Sequence, residues 1–151
     1  MAPPQPHEHS MRHALLRFVR PSTRGSLDAG LLLLRVGFGL TLAFGHGLSK
    51  LLTLGRFIGK VAKHGFPLPE VLGPLAMLSE FAGGILLALG LATRPAATFV
   101  IATMLGAALK VHAHDPFPKK ELALAYALVA LVLLVTGPGR HSLDARLERR
   151  R

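Results

Sequence analysis

The chain has 151 residues, of which 50% are hydrophobic and 17% are charged, and its formal net charge is +10. This apolar content is more than a small soluble domain uses, so the composition predicts one membrane-embedded unit. The Lys and Arg residues mostly flank apolar segments, as in membrane proteins, so the charge does not indicate nucleic-acid binding, and the absence of cysteine excludes disulfides, thiol relays and Cys-ligated metal centres within this chain.

Residues 1–25 are predicted to form a mobile basic tail, because a proline-rich start is followed by several arginines. No uninterrupted apolar core lies close to the terminus, so a secretory signal is not expected. The triplet His7-Glu8-His9 could bind a metal, although a disordered tail is the simpler interpretation.

The first apolar segment is predicted to form a membrane helix over residues 27–47, with Ser26 in position to cap its start. Its apolar run is interrupted by one charge, Arg35. Because Arg35, Gly39 and His46 recur at helical spacing, they share one face, and this face is expected to point into a helix bundle.

The second apolar segment is predicted to form a helix over residues 71–92, and it carries a single charge, Glu80, near its centre. At ~1.5 Å per residue it is long enough to cross the roughly 30 Å hydrocarbon layer. An isolated charge at that depth costs at least ~2.5 to 3.5 kcal/mol, and Arg35 is expected at a similar depth. The two residues are therefore predicted to form a buried charge pair.

Four glycines of these two segments are predicted to let helices approach closely, either within one chain or between chains. They are Gly37 and Gly39 in the first segment and Gly83 and Gly84 in the second.

Between the two segments, Leu54, Ile58 and Val61 recur at helical spacing opposite a set of basic residues. This pattern predicts a short amphipathic helix that lies in the membrane interface. A solvated loop is the alternative interpretation.

Two further helices are predicted over residues 95–112 and 121–136, and the second is ended by Gly137-Pro138-Gly139. Residues 26–138 are thus expected to form an all-α, four-helix antiparallel membrane bundle, followed by a basic C-terminal tail over 139–151. The distribution of Lys and Arg between the loops favours a topology with both termini in the cytoplasm.

This topology directs four polar residues, His46, Lys50, His112 and Glu121, toward the extracytoplasmic end. Histidine and carboxylate side chains at the entrance of a membrane cavity could bind a quinone carbonyl and exchange its protons. In the alternative interpretation, the histidines are ordinary interfacial residues and Glu121 complements the positive end of its helix. A metal site is not predicted, since His112 and His114 lie on different helix faces, and no catalytic residue can be assigned.

The order and spacing of several short motifs resemble the DoxX family of small bacterial and archaeal membrane proteins. The motifs are Arg35-x-Gly37, Phe44-Gly45-His46-Gly47-x-x-Lys50-Leu51, Glu80-x-x-Gly83-Gly84-x-x-Leu87-x-x-Gly90-x-x-Thr93-Arg94, Met104 through His112, Lys120-Glu121-Leu122-Ala123-Leu124-x-Tyr126, and Gly137-Pro138-Gly139-Arg140-His141-Ser142-Leu143-Asp144. The resemblance covers about residues 27–144, and the family often has Tyr where His141 stands.

The resemblance implies a four-helix integral protein of the cell membrane. The family is associated with terminal quinol oxidase, with thiosulfate:quinone oxidoreductase and with a membrane complex of oxidant defence. This implies an accessory subunit of a quinone-linked or oxidative-stress oxidoreductase complex, with redox enzymes and lipid as partners, self-association open, quinone as a candidate ligand and no covalently bound cofactor. Two other functions stay open: a small proton or solute carrier or lipid-binding module, and a purely structural scaffold.

Overall fold

The computed structural model describes residues 24–150, and its regular elements within this range are all helices. Residues 1–23 of the predicted N-terminal tail, with its histidine triplet, lie outside the described residues. The helices are α1 (Arg24–Leu52), α2 (Leu54–Lys63), α3 (Pro69–Leu89), α4 (Thr93–Val111), α5 (Phe117–Thr136) and α6 (Leu143–Glu148).

Three of these helices, α1, α3 and α4, are long and apolar enough to cross a membrane. The predicted all-α fold is therefore confirmed, with three candidate membrane spans. Helix α5 is 20 residues long, but Lys119, Lys120 and Glu121 stand in its first two turns. The fourth membrane span stays a prediction.

Helices α1 and α3 pack through small residues, because only these let two backbones approach so closely. Gly39 and Ala43 of α1 face Gly84 of α3, where an added Cβ atom would lie 2.7 Å from the Gly39 carbonyl oxygen and 2.9 Å from the Ala43 nitrogen. One turn further along α1, Gly47 rests directly on the backbone of α3 at Phe81. The predicted roles of Gly39 and Gly84 in packing are confirmed.

The other two predicted packing glycines differ from each other. Gly83 is buried against α4, where an added Cβ atom would lie 3.5 Å from Val100, an ordinary van der Waals distance. Gly37 is exposed and nothing lies within 4 Å of the position that a Cβ atom would take. Of the two alternatives open for Gly37, packing within the chain is not observed, and contact between chains stays a prediction.

The core lies between α1, α3, α4 and α5, and Leu87, Val100 and Leu133 are among its fully buried side chains. Helix α3 ends at Leu89, earlier than predicted, because Gly90 adopts a left-handed conformation with φ +66° that stops the helix. Helices α3 and α4 are thus joined by a turn of three residues and run antiparallel.

The predicted amphipathic helix is present as α2. Thr53, with φ −125° and ψ 36°, separates it from α1. The side chain of Ile58 packs on α3 at Gly73, while Arg56 and Lys60 are exposed. The helical interpretation of this segment is therefore confirmed, and α2 covers one side of α3.

Two helices contain a short π-helical stretch, Thr41–Gly47 in α1 and Ala107–Val111 in α4. A π turn holds an extra residue and so rotates the side chains that follow it, and such turns are frequent at functional sites. Here one precedes Lys50 and the other precedes His112, and both of these residues line the same cavity.

Candidate functional site

A cavity of about 550 Å³ opens between α2, α3 and α4. Most of its wall is apolar, and it includes the rings of Phe57, Phe66 and Phe99. A volume of this size is typical of sites that bind small molecules, and such sites combine apolar walls with a few polar groups. The polar groups of this cavity are therefore the candidate functional residues.

An ion pair between Lys50 and Glu80 forms the floor of the cavity. The Lys50 ammonium lies 2.5 Å from each oxygen of the Glu80 carboxylate. The Glu80 side chain is only 2% exposed, whereas that of Lys50 is 27% exposed. The close packing of Gly47 on α3 brings the next turn of α1, which carries Lys50, beside Glu80.

The predicted charge pair between Arg35 and Glu80 is therefore wrong in its partner, although both residues are buried. The prediction placed Arg35 at a depth similar to that of Glu80, well before the end of α3. In the structure Arg35 is level with that end, since its guanidinium donates to the carbonyl of Ala88. The start of α1 extends well beyond the turn between α3 and α4. Arg35 therefore lies far from Glu80, and Lys50 is level with Glu80.

Further polar groups line the cavity close to this pair. Ser79 hydrogen-bonds Thr103 through their hydroxyl oxygens at 2.6 Å, and Thr103 faces the cavity. The Lys50 ammonium also lies 4.9 Å from the centre of the Phe57 ring, a distance at which the ring face attracts a cation. Hydrogen-bond donors, hydrogen-bond acceptors and an aromatic ring thus lie near the ion pair in the same cavity.

The structure brings together two of the four residues that were predicted at the entrance of a membrane cavity. Lys50 and His112 line the cavity, whereas His46 and Glu121 do not. Glu121 is exposed in the second turn of α5, because that helix begins at Phe117 rather than at the predicted residue 121.

His46 belongs to an aromatic cluster that does not line the cavity. Its ring meets the Tyr126 ring edge-on with centroids 5.4 Å apart, and His46 Nε2 lies 3.4 Å from Tyr126 Oη. Tyr126 also meets Phe38 edge-on at 5.4 Å. The predicted gathering of all four residues into one mouth is therefore wrong.

His112 is held at the rim by a hydrogen bond of 2.8 Å between its Nδ1 and the Asp115 carboxylate. Lys119 approaches the other Asp115 oxygen at 3.4 Å. The hydrogen bond from His112 and the nearby Lys119 lower the pKa of Asp115 below its ordinary value, against a smaller opposite effect of burial. The loop after α4 thus carries a small charged network.

The opposite end of the molecule holds a second buried cation, which we call the Arg35 clasp: Arg35, Gly90, His141 and Asp144. Arg35 is 2% exposed and donates to the carbonyl oxygens of Ala88 at 2.9 Å and His141 at 2.5 Å. Gly90 has no side chain, and a Cβ atom there would overlap the guanidinium.

Asp144 completes the clasp by capping the start of α4. Its carboxylate accepts hydrogen bonds from the backbone nitrogens of Ala92 at 2.8 Å and Thr93 at 3.0 Å, and its own nitrogen donates to the Gly90 carbonyl. Ser142 caps α6 in turn by accepting from Ala145. The motif through Asp144 was part of the sequence resemblance, but the contact of Asp144 with α4 was not predicted.

Two signals in the sequence pointed to these missed features. The small residues Gly39, Ala43 and Gly47 recur every four positions, the spacing that lets helices approach. Ser142-Leu143-Asp144 is a typical start of a helix, with a capping hydroxyl followed by an acidic residue. Within residues 24–150 there is no group of three or more His, Asp or Glu side chains that could hold a metal ion.

Comparison with known proteins agrees with the sequence resemblance. A protein of Bacillus subtilis (strain 168) named "Putative oxidoreductase CatD" is 32% identical over 123 residues, which are 79% of this chain and 87% of that protein. No solved structure matches the chain significantly. Residues 30–113 match the DoxX family, and this range contains Arg35, Lys50, Glu80 and His112. The match covers more than half of the sequence, and the chain is therefore a multi-pass membrane protein that belongs to the DoxX family.

Proposed function

We propose that this protein is a membrane subunit of a quinone-linked oxidoreductase complex, and that the cavity above Lys50 and Glu80 holds the quinone ring. The observation that carries the proposal is the ion pair at the floor of a cavity whose walls are mostly apolar. Apolar walls suit a hydrophobic ligand, and a few polar groups at the floor suit a ligand with few polar atoms.

The ion pair offers what the two redox forms of a quinone need. The Lys50 ammonium donates hydrogen bonds and can meet a quinone carbonyl oxygen, whereas the Glu80 carboxylate accepts them and can meet a quinol hydroxyl. Both groups can also release or take up a proton. The Phe57 ring, beside Lys50, provides a flat surface for stacking.

The electrons are assigned to a partner redox enzyme. Reduction of a quinone takes two electrons and two protons, and in this proposal the partner supplies the electrons while this chain binds the ring and exchanges protons. The name of the Bacillus subtilis relative, which contains the word oxidoreductase, is consistent with a redox setting. Co-purification from native membranes in mild detergent tests the association, and recovery of no redox enzyme would contradict it.

The binding step can be tested on the purified protein in lipid nanodiscs with a short-chain quinone. Lys50→Met and Glu80→Gln are each expected to weaken quinone binding by about tenfold or more, since a hydrogen bond to a charged group contributes roughly 1.5–3 kcal/mol. His46→Gln and Glu121→Gln are the matched controls, because both were predicted at the mouth and neither lines the cavity. Equal loss in the controls, or no loss in the first two, would exclude this site.

A structural scaffold is the second candidate function, because an ion pair between α1 and α3 also fixes how these helices pack. Exchanging the charges, Lys50→Glu with Glu80→Lys, separates the two functions. A scaffold keeps its stability and its partners after the exchange. A quinone site loses affinity, since the donor and the acceptor then lie on the wrong sides of the ring.

A further inference from the structure

The mouth of the cavity carries a row of basic side chains. Arg56, Lys60 and His64 line it at intervals of four residues, so they follow one face of α2 and its end. This helix contains no acidic residue. The mouth therefore presents cations one helical turn apart, above the apolar walls.

These cations have no counter-charge within the described residues. The lining contains one carboxylate, Glu80, and both of its oxygens are held by Lys50. Among residues 24–150, no ion pair involves Arg56 or Lys60. The mouth thus carries two cations, Arg56 and Lys60, that Glu80 does not neutralise, so a negatively charged group fits the mouth better than a neutral one.

The flank of the cavity is apolar and open. Leu75 of α3 and Phe99 of α4 line it and are nevertheless 47% and 60% exposed. Since α3 and α4 are both candidate membrane spans, these side chains face the region where lipid chains lie. A ligand with an anionic head and an apolar chain matches both the mouth and the flank.

We propose that the mouth binds the phosphate of an anionic phospholipid, with Arg56 and Lys60 at the head and an acyl chain along Leu75 and Phe99. Arginine binds phosphate oxygens in a two-pronged geometry, and lysine adds a point charge. The net positive lining favours a headgroup with net negative charge, such as phosphatidylglycerol, over a zwitterionic one. This inference does not depend on the quinone proposal, because it uses the mouth and the flank rather than the floor.

The test is native mass spectrometry of the delipidated protein titrated with phosphatidylglycerol. The variant Arg56→Gln/Lys60→Gln is expected to bind this lipid on the order of tenfold more weakly than wild type, because each basic residue near the surface contributes to the attraction of an anionic lipid. The control Lys63→Gln/Arg94→Gln removes the same charge from exposed positions outside the cavity and should bind like wild type. Equal binding by the first variant and wild type would overturn the proposal.

Two further measurements identify the ligand. Phosphatidylcholine is expected to bind more weakly than phosphatidylglycerol, and free glycerol phosphate should not compete; effective competition would mean a site for soluble phosphate and would overturn the lipid proposal. The quinone affinity of Arg56→Gln/Lys60→Gln should equal that of wild type. Loss of lipid binding with retained quinone binding therefore separates the two proposals, and the helical circular dichroism signal confirms that the variant is folded.

Discussion

The two ends of this molecule each bury a cation, and they do so in different ways. At one end Arg35 is surrounded by backbone, with the carbonyl oxygens of Ala88 and His141 as its acceptors. At the other end Lys50 meets a side chain, the Glu80 carboxylate, at the floor of a cavity. One cation fastens chain segments together, and the other is open to a ligand.

The kind of partner determines what each cation can do. Backbone carbonyls cannot be removed by substitution or neutralised by a proton. The hydrogen bonds that Arg35 donates in the clasp therefore offer no proton exchange. The Lys50–Glu80 pair consists of two titratable side chains, and it can exchange hydrogen bonds or protons with a ligand. The comparison therefore assigns stability to the Arg35 end and chemistry to the cavity end.

The largest effect is expected at the clasp. Arg35→Leu removes two charge-assisted hydrogen bonds, each worth roughly 1.5–3 kcal/mol, and leaves two carbonyl groups without their donor. Stability should fall by about 3 to 6 kcal/mol. Thermal unfolding in detergent, followed by helical circular dichroism, measures this loss, since the chain has no tryptophan and one tyrosine for fluorescence.

The control for the clasp is Arg94→Leu, which removes an exposed arginine from the same end of the molecule. Its effect should stay within about 0.5 kcal/mol, as for most surface substitutions. If both variants unfolded at the same temperature, the guanidinium of Arg35 would not be what fastens the last segment to α1.

The next effect tests whether the pair at the cavity floor can be replaced. Lys50→Met leaves the Glu80 carboxylate buried without its cation. Breaking a fully buried ion pair typically costs about 3 to 5 kcal/mol of stability. The loss of stability here should be smaller, because Lys50 is 27% exposed. The double variant Lys50→Met/Glu80→Gln should recover most of this stability, since no charge is then left unpaired.

The same double variant sharpens the comparison of the two ends. It should be stable and yet fail to bind quinone, which Arg35→Leu cannot achieve because it destabilises the whole protein. Paired measurements of thermal stability and quinone affinity on both variants provide the check. A double variant as unstable as Lys50→Met alone would mean that the pair is needed for packing itself.

The sequence predicted the helices of this fold better than it predicted how far one helix is shifted along its neighbour. Apolar segments, the amphipathic α2 and the burial of Arg35 and Glu80 followed from periodicity and charge, which are local properties. The partner of Glu80 depended on how far α1 slides along α3, and the small residues Gly39, Ala43 and Gly47 set that position. Counting residues from assumed membrane faces could not supply this register.

The clasp was missed for a related reason. Its acceptors are backbone carbonyls of two distant segments, the turn after α3 and the stretch before α6. Every residue has a carbonyl group, so the amino-acid sequence carries no mark of such a partner. In the sequence, Asp144 could be recognised only as part of the start of α6. Its hydrogen bonds to the start of α4 arise from tertiary packing.

A smaller effect tests the register of α1 on α3. Gly39→Ala places a methyl group against the backbone of α3 at Gly84 and Ala88, so it should cost about 1 to 3 kcal/mol through overpacking. Gly37→Ala, two residues away, adds the same group where nothing lies within 4 Å, and it should stabilise the helix by roughly 0.5–1 kcal/mol. Thermal unfolding of the two variants should thus shift in opposite directions, and a shift in the same direction would mean that α1 packs on α3 through another face.

The smallest effect concerns the exposed network at the cavity rim. Since the contacts with His112 and Lys119 lower the pKa of Asp115 from its ordinary 3.8, the folded protein holds its carboxylate charged to lower pH than the unfolded chain does. The network therefore stabilises the fold above about pH 3.8, and this contribution is lost as the pH falls through the lowered pKa. Asp115→Asn should slightly lower the unfolding temperature at neutral pH and leave it unchanged in strong acid, and thermal unfolding at the two pH values measures this difference. A deficit of Asp115→Asn that persisted in strong acid would show that this side chain acts through packing and not through its charge.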